Sequence, residues 1–119
     1  MILATDLWVG ALIHRAQTGG AFATVARKGD PRAGAVLVKT VPRPQGRPRL
    51  YAMAMRADGE EVWMQPAPDA DEAGLDLYVE RAARIDPDIW LVEIEDRQGR
   101  HFLTEPVDEA PDDASRPEV

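Results

Sequence analysis

Residues 53–64 read MAMRADGEEVWM, and this stretch decides the predicted fold. The Asp58-Gly59 pair at its centre is typical of a two-residue turn between antiparallel strands, because both residue types accept the positive φ that such turns need. Strands are therefore predicted on either side of the turn, at residues 49–56 and 61–66. The rest of the sheet is built outward from this hairpin.

The register of the hairpin assigns its side chains to two faces. With a two-residue loop, Met55 lies opposite Val62 and Met53 lies opposite Met64, so these four form one apolar face that is predicted to belong to the core. Trp63 falls on the other face. It is expected to be partly exposed there and to contact a protein partner or a second copy of the chain.

Periodicity and breaker residues predict the remaining elements. An apolar stripe from residue 7 predicts a helix capped by Thr5 and ended by Gly19-Gly20, and a second stripe predicts a helix over residues 71–85, closed by Pro87. Further strands are predicted at residues 22–27, 35–41, 89–95 and 100–104. The result is a single α+β domain over residues 1–105, in the order α-β-β-β-β-α-β-β. It has a mainly antiparallel sheet of five or six strands, with both helices packed on one face.

The loop RKGDPRAG at residues 27–34 has two interpretations. Its two glycines and its proline favour a hairpin connection that is simply solvated. Arg27, Lys28 and Arg32, together with outward-pointing backbone N–H groups, are also the chemistry of an anion-binding site. The loop lacks the P-loop pattern and leads into a strand rather than a helix, so the solvated turn is favoured and the anion site stays open.

Charge is divided unevenly along the 119 residues, whose net charge is −7. Residues 27–56 hold eight cations and one carboxylate, whereas residues 105–119 sum to −5. Arg47, Arg49 and Tyr51 share one strand face, as a phosphate-binding strip would. The overall acidity and the aromatic content of 6% make nucleic acid an unfavoured partner.

The acidic residues beyond 105 form a proline-bearing tail. Residues 106–119 are predicted to be disordered, because they have little to bury. One hypothesis is that this tail competes with an anionic ligand for the basic hairpins. The alternative is that the tail only neutralises the charge of these hairpins, an interaction that is largely screened beyond about 10 Å at 0.1 M salt.

The residue inventory limits the chemistry. There is no cysteine, the only serine is Ser115, and the two histidines, His14 and His101, do not have metal-ligand spacing. No catalytic residue, metal or cofactor is therefore predicted, and an enzyme is disfavoured. The apolar run at residues 7–13 is too short to span a membrane, and a cytoplasmic location is expected.

Two segments carry a resemblance to a known family. They are LWVGALIHRAQTGGAFATVARKGDPRAGAVLVKT at residues 7–40 and YVERAARIDPDIWLVEIEDRQGRHFL at residues 78–103. Together they resemble a bacterial family of short uncharacterised proteins, catalogued as a domain of unknown function. The resemblance implies a small, soluble bacterial protein and assigns no catalytic residues.

The function predicted from these observations is that of a small binding or protein-interaction module, with self-association through the Trp63 face. The alternative is a small enzyme or ligand-binding protein that holds an anionic group at Arg27, Lys28 and Arg32. A converging polar pocket would favour the alternative, whereas a flat apolar patch would favour the interaction module.

Overall fold

The computed structural model describes residues 3–108. Within this range the α+β class predicted from the sequence is confirmed, with two helices and one six-stranded sheet. In chain order the elements are α1 (Thr5–Thr18), β1 (Phe22–Arg27), β2 (Val36–Pro42), β3 (Arg49–Met55), β4 (Glu61–Met64), α2 (Glu72–Ile85), β5 (Trp90–Asp96) and β6 (Val107–Asp108). No helix in the described part of the chain is long and apolar enough to cross a membrane.

The sheet is mixed. Its order is β1-β5-β2-β3-β4-β6, in which β5 is parallel to β2 and β6 is parallel to β4, while the other neighbours are antiparallel. The predicted β1–β2 hairpin is wrong, because β5 lies between these two strands. Strand β5 is buried on both faces at Trp90, Leu91 and Val92, which is typical of a central strand with neighbours on both sides.

The loop at residues 27–34 therefore crosses the start of β5 instead of forming a hairpin turn. The backbone N–H of Asp30 donates to the carbonyl of Asp88 at 2.9 Å, and the indole Nε1–H of Trp90 donates to the carbonyl of Asp30 at 2.7 Å. A Cβ on Gly29 or Gly34 would overlap the carbonyl oxygen of Asp88. These glycines are thus explained by close backbone packing.

The β3–β4 hairpin forms, but its predicted register is wrong by one residue. The loop has three residues, closed by hydrogen bonds from Arg56 N–H to the carbonyl of Glu60 and from Gly59 N–H to the carbonyl of Arg56, with Gly59 at a φ of 89°. As a result Met53 pairs with Trp63, and the two share a face. A shift of one residue exchanges the faces of a strand, because the side-chain period is two.

Trp63 is consequently a core residue with 0% exposure. Its ring stacks on that of Trp8 from α1, with centroids 5.4 Å apart. The prediction that Trp63 is partly exposed is wrong. Because Trp63 is buried, it is not available for the contact with a protein partner that was predicted for it.

The two helices pack on opposite faces of the sheet, not on one face as predicted. Helix α1 covers the face that holds Val38 and Trp63, and α2 covers the face that holds Leu37 and Leu50. Every residue of β2 from Val36 to Val41 is buried, so both faces of this strand need a cover.

An ion cluster fixes α2 to its face of the sheet. The ammonium of Lys39, whose side chain is 3% exposed, lies 2.8 Å from Glu72, 3.0 Å from Asp76 and 3.6 Å from Glu93. Burial lowers the pKa of Lys39, but the carboxylates of Glu72 and Asp76 raise it more, so the pKa lies above its ordinary value of 10.5. Lys39 is therefore charged at neutral pH.

The chain after β5 does not return as the predicted strand at residues 100–104. Phe102 has a φ of 61°, and its carbonyl accepts two hydrogen bonds from the guanidinium of Arg15 on α1. Glu105 then accepts hydrogen bonds from the indole N–H groups of Trp8 and Trp63, at 2.9 and 3.0 Å. These contacts lead the chain across the α1 face to β6.

Strand β6 corrects the boundary predicted for the tail. Residues 107–108 pair with Trp63 and Met64 of β4, so the disorder predicted from residue 106 is wrong at β6, which lies beyond the predicted domain end. The prediction for residues 109–119 falls outside the described residues.

Candidate anion-binding site

A cleft of about 580 Å³ opens at the end of the sheet where β2 ends and β3 begins. The loop that follows β5 forms its other wall. We call it the basic cleft, because three arginines and three aromatic rings dominate its lining: Arg47, Arg49, Arg100, Tyr51, His101 and Phe102.

The strand wall of the cleft follows from the period of β3. Arg49 and Tyr51 are two positions apart and therefore point to the same side of the sheet. Arg47 precedes the strand, and its Nη2 donates to the carbonyls of Pro68 and Ala70. Both acceptors are neutral, so these hydrogen bonds hold the Arg47 side chain without cancelling its charge.

The loop wall of the cleft is held by Arg100. Its Nε and Nη2 donate to the two carboxylate oxygens of Asp96 at 3.0 and 2.8 Å, and Nη2 also donates to the carbonyl of Gly19 at 3.0 Å. The guanidinium lies over the ring of Phe102, 4.8 Å from its centroid. Among the described residues none accepts a hydrogen bond from Nη1 of Arg100. A planar donor is thus fixed in place with two N–H groups left for a ligand.

The buried carboxylate of Asp96 holds the loop that follows β5 by accepting hydrogen bonds from it. Its side chain is 2% exposed, and its Oδ2 also accepts the backbone N–H groups of Gln98 and Arg100 at 3.1 and 2.9 Å. The Arg100 guanidinium, aided by these two N–H groups, outweighs the effect of burial and lowers the pKa of Asp96 from 3.8 to about 2.

Replacement of Asp96 by asparagine tests this arrangement. A carboxyl whose pKa is lowered on folding contributes stability that is present above about pH 4 and lost as the pH falls towards 2. We expect Asp96→Asn to lower the free energy of unfolding at pH 7 by about 2 kcal/mol, since charged hydrogen bonds are lost, and to flatten its fall below about pH 4. Urea unfolding at a series of pH values measures both effects.

The matched control is Asp88→Asn, at an exposed aspartate near the other end of the sheet. It is expected to change the free energy of unfolding by less than about 0.5 kcal/mol. Equal pH dependence in wild type and Asp96→Asn would contradict the assigned role of Asp96.

The imidazole of His101 is oriented by its neighbours. Its Nδ1 accepts the backbone N–H of Leu103 at 2.9 Å, so in the neutral ring the proton sits on Nε2. The ring meets that of Tyr51 edge to face, with centroids 5.2 Å apart. His101 and Tyr51 therefore form a rigid aromatic corner of the cleft.

The three residues predicted to bind an anion are not brought together at this cleft. Arg27 donates to the carbonyls of Ile89 and Pro87 at 3.2 and 3.1 Å and so fastens the end of β1 to the start of β5. Lys28 is exposed. Arg32 lies at a second cavity of about 480 Å³, whose lining is mostly apolar.

Part of the basic cleft was visible in the sequence. The period of two placed Arg47, Arg49 and Tyr51 on one face, and the structure brings all three to the cleft. The sequence does not identify Arg100 and His101 as members of this site, because its pattern predicts a strand over residues 100–104. Their proximity to β3 depends on the loop after β5.

The chain matches a family model and solved structures of members of the same family. The model of DUF1491, a protein of unknown function, matches residues 3–104. A crystal structure of a DUF1491 family protein from Caulobacter crescentus CB15 is 69% identical, covers 90% of this chain and 100% of that chain, and has a TM-score of 0.86. An NMR structure of a DUF1491 family protein from the same organism has the same identity, covers 91% and 98%, and has a TM-score of 0.83.

A more distant likeness shares the same fold. The solution structure of protein Atu0922 from A. tumefaciens is 31% identical, covers 93% of this chain and 98% of that chain, and has a TM-score of 0.75. No protein with a curated description matches the chain.

Proposed function

Because the chain belongs to the DUF1491 family, whose function is unknown, we propose a function from its own geometry: it binds a small anionic ligand in the basic cleft. The family membership confirms the resemblance drawn from the two sequence segments. The observation that carries the proposal is the fixed guanidinium of Arg100, which lines the same cleft as Arg47 and Arg49 and whose Nη1 donates to none of the described residues.

The charge and size of the cleft support a small anion. No acidic residue is among the described residues that line it, and its volume of about 580 Å³ lies within the range of small-molecule pockets, roughly 300–1,000 Å³. The forked donors of arginine match a carboxylate or a phosphate group. A long polyanion is disfavoured, because the net charge of −7 repels it at long range.

The proposal is one of binding. Among the described residues that line the cleft, Tyr51 and His101 carry the groups suited to move a proton, and none of these lining residues is a carboxylate. The small enzyme considered as an alternative stays a prediction.

A ligand panel tests the proposal. Thermal unfolding of the full chain is measured with inorganic phosphate, pyrophosphate, citrate and glycerol, and calorimetry then gives the affinity for any probe that stabilises. We expect pyrophosphate or citrate to raise the melting temperature and glycerol to have no effect. A ligand at 100 times its dissociation constant adds about 2.7 kcal/mol. Phosphate and carboxylate chemistry are distinguished by which probe binds.

A conservative substitution locates the site. Arg100→Lys keeps the charge but loses the planar fork, and we expect it to weaken binding of the stabilising probe about tenfold. Arg97→Lys is the matched control, since Arg97 is an exposed arginine of the same loop that does not line the cleft. The proposal fails if no probe binds, or if Arg97→Lys weakens binding as much as Arg100→Lys.

Self-association and binding of a protein partner are predicted from an exposed Trp63. Trp63 is buried, so it supports neither prediction. Both stay predictions, as does the cytoplasmic location. Light scattering at high protein concentration measures the oligomeric state directly, and a monomer over the accessible range would remove self-association.

A further inference from the structure

Beyond the proposed function, on which this inference rests, we infer that residues 109–119 of the same chain compete with the anionic ligand for the basic cleft. The segment follows β6 directly. The matched family region ends at residue 104, so the segment lies outside it.

The direction of β6 carries the first step. Val107 pairs with Trp63, which pairs with Met53; Asp108 pairs with Met64, which pairs with Ala52. Across β4, Val107 is therefore aligned with Met53 and Asp108 with Ala52, so β6 runs towards the start of β3. At Asp108, the last described residue, β6 therefore points towards the level of Tyr51 and Arg49.

Distance carries the second step. Strand β6 is separated from β3 by β4 alone, and neighbouring strands lie about 4.8 Å apart, so the two are roughly 10 Å apart. Eleven residues span up to about 35 Å when extended. The length of the segment is therefore more than sufficient to reach the basic cleft.

Charge complementarity carries the third step. The segment reads EAPDDASRPEV, with four carboxylates against one cation and no aromatic side chain. The cleft presents three guanidinium groups and no carboxylate among the described lining residues. The carboxylates of the segment are the same chemistry as the proposed ligand, which makes the two mutually exclusive occupants.

The residues just before the segment are held in place, which raises the local concentration of the segment at the cleft. Glu105 is bonded to the indole groups of Trp8 and Trp63, and Val107 is paired in the sheet. A short tether of this kind gives an effective concentration in the millimolar range. A weak electrostatic contact is then enough to reduce the apparent affinity for a ligand several-fold.

A charge-neutralised full chain tests the inference. The variant Glu109→Gln/Asp112→Asn/Asp113→Asn removes three carboxylates from the segment. We expect it to bind pyrophosphate about three- to tenfold more tightly than wild type by calorimetry at low ionic strength. The difference should shrink at about 0.3 M salt, because the contact is electrostatic.

The control removes three carboxylates at the opposite end of the sheet. Asp6→Asn/Glu80→Gln/Asp88→Asn changes the net charge equally, away from the cleft, and is expected to leave the affinity for pyrophosphate within about twofold of wild type. Equal gains in both triple variants would assign the effect to net charge and overturn the inference.

The possible outcomes distinguish a failure of this inference from a failure of the proposed anion binding. If wild type and the segment variant bind pyrophosphate equally well, the inference fails while the proposed function stands. If neither wild type nor the segment variant binds pyrophosphate, citrate or phosphate, the proposed function fails and the inference fails with it.

Discussion

Replacing Trp63 with alanine is expected to lower the free energy of unfolding by about 4 kcal/mol, in the range found for large aromatic residues in cores. Trp63 has 0% exposure and stacks on Trp8. Its indole N–H also bonds to Glu105 at 3.0 Å. The substitution opens a cavity between α1 and the sheet, and urea unfolding at pH 7 measures its cost.

Met55→Ala on the facing strand is the matched control. Met55 is 68% exposed, so its truncation is expected to change the free energy of unfolding by less than about 0.5 kcal/mol. A two-residue turn at Asp58-Gly59 would give the reverse order, with Met55 in the core and Trp63 outside. A larger loss for Met55→Ala than for Trp63→Ala would contradict the observed register.

Replacing Glu105 with alanine is expected to lower the free energy of unfolding by about 3 kcal/mol. Its carboxylate accepts the indole N–H groups of Trp8 and Trp63 at 2.9 and 3.0 Å, and removal leaves two donors without a partner in the core. Each such donor costs about 1–3 kcal/mol. The same substitution also releases the segment that leads to β6, so tryptophan fluorescence should change together with stability.

The pH dependence of Glu105 has a defined sign. Burial raises the pKa of this carboxyl, but the hydrogen bonds from Trp8 and Trp63 lower it more, so the pKa lies below its ordinary 4.5. The contribution of Glu105 to stability is therefore present above about pH 4.5 and is lost as the pH falls through the lowered pKa. Glu105→Gln is expected to weaken the acid sensitivity of unfolding relative to wild type.

Glu60→Gln is the control for this pair of variants. Glu60 is exposed and pairs with Arg56 at the surface, an interaction worth about 0–1 kcal/mol. A loss below about 0.5 kcal/mol in Glu105→Ala, or an unchanged pH profile in Glu105→Gln, would show that the carboxylate does not hold the two indoles.

Local sequence signals predicted the elements well where an element depends on its own residues. Helix α2 begins after Asp71, whose carboxylate accepts the N–H of Gly74, and ends at Ile85 before Pro87, close to the predicted 71–85. On β3, a period of two placed Arg49 and Tyr51 on the face where they meet in the basic cleft.

Signals that depend on partners far along the chain were misleading. The glycines and proline of residues 27–34 predicted a hairpin, because turn residues do not reveal that another strand will insert between the flanking strands. The Asp58-Gly59 pair suits both a two-residue and a three-residue loop, and the difference exchanges every side chain of the hairpin between its faces.

By itself, the sequence determined where both helices and strands β1 to β5 form and where the charges lie, since these depend on neighbours within a few positions. Only the tertiary structure decided that β5 separates β1 from β2, that the helices take opposite faces, and that Arg100 lines the same cleft as Arg47 and Arg49. These contacts join residues distant in the chain, and burying both faces of β2 and β5 selects them.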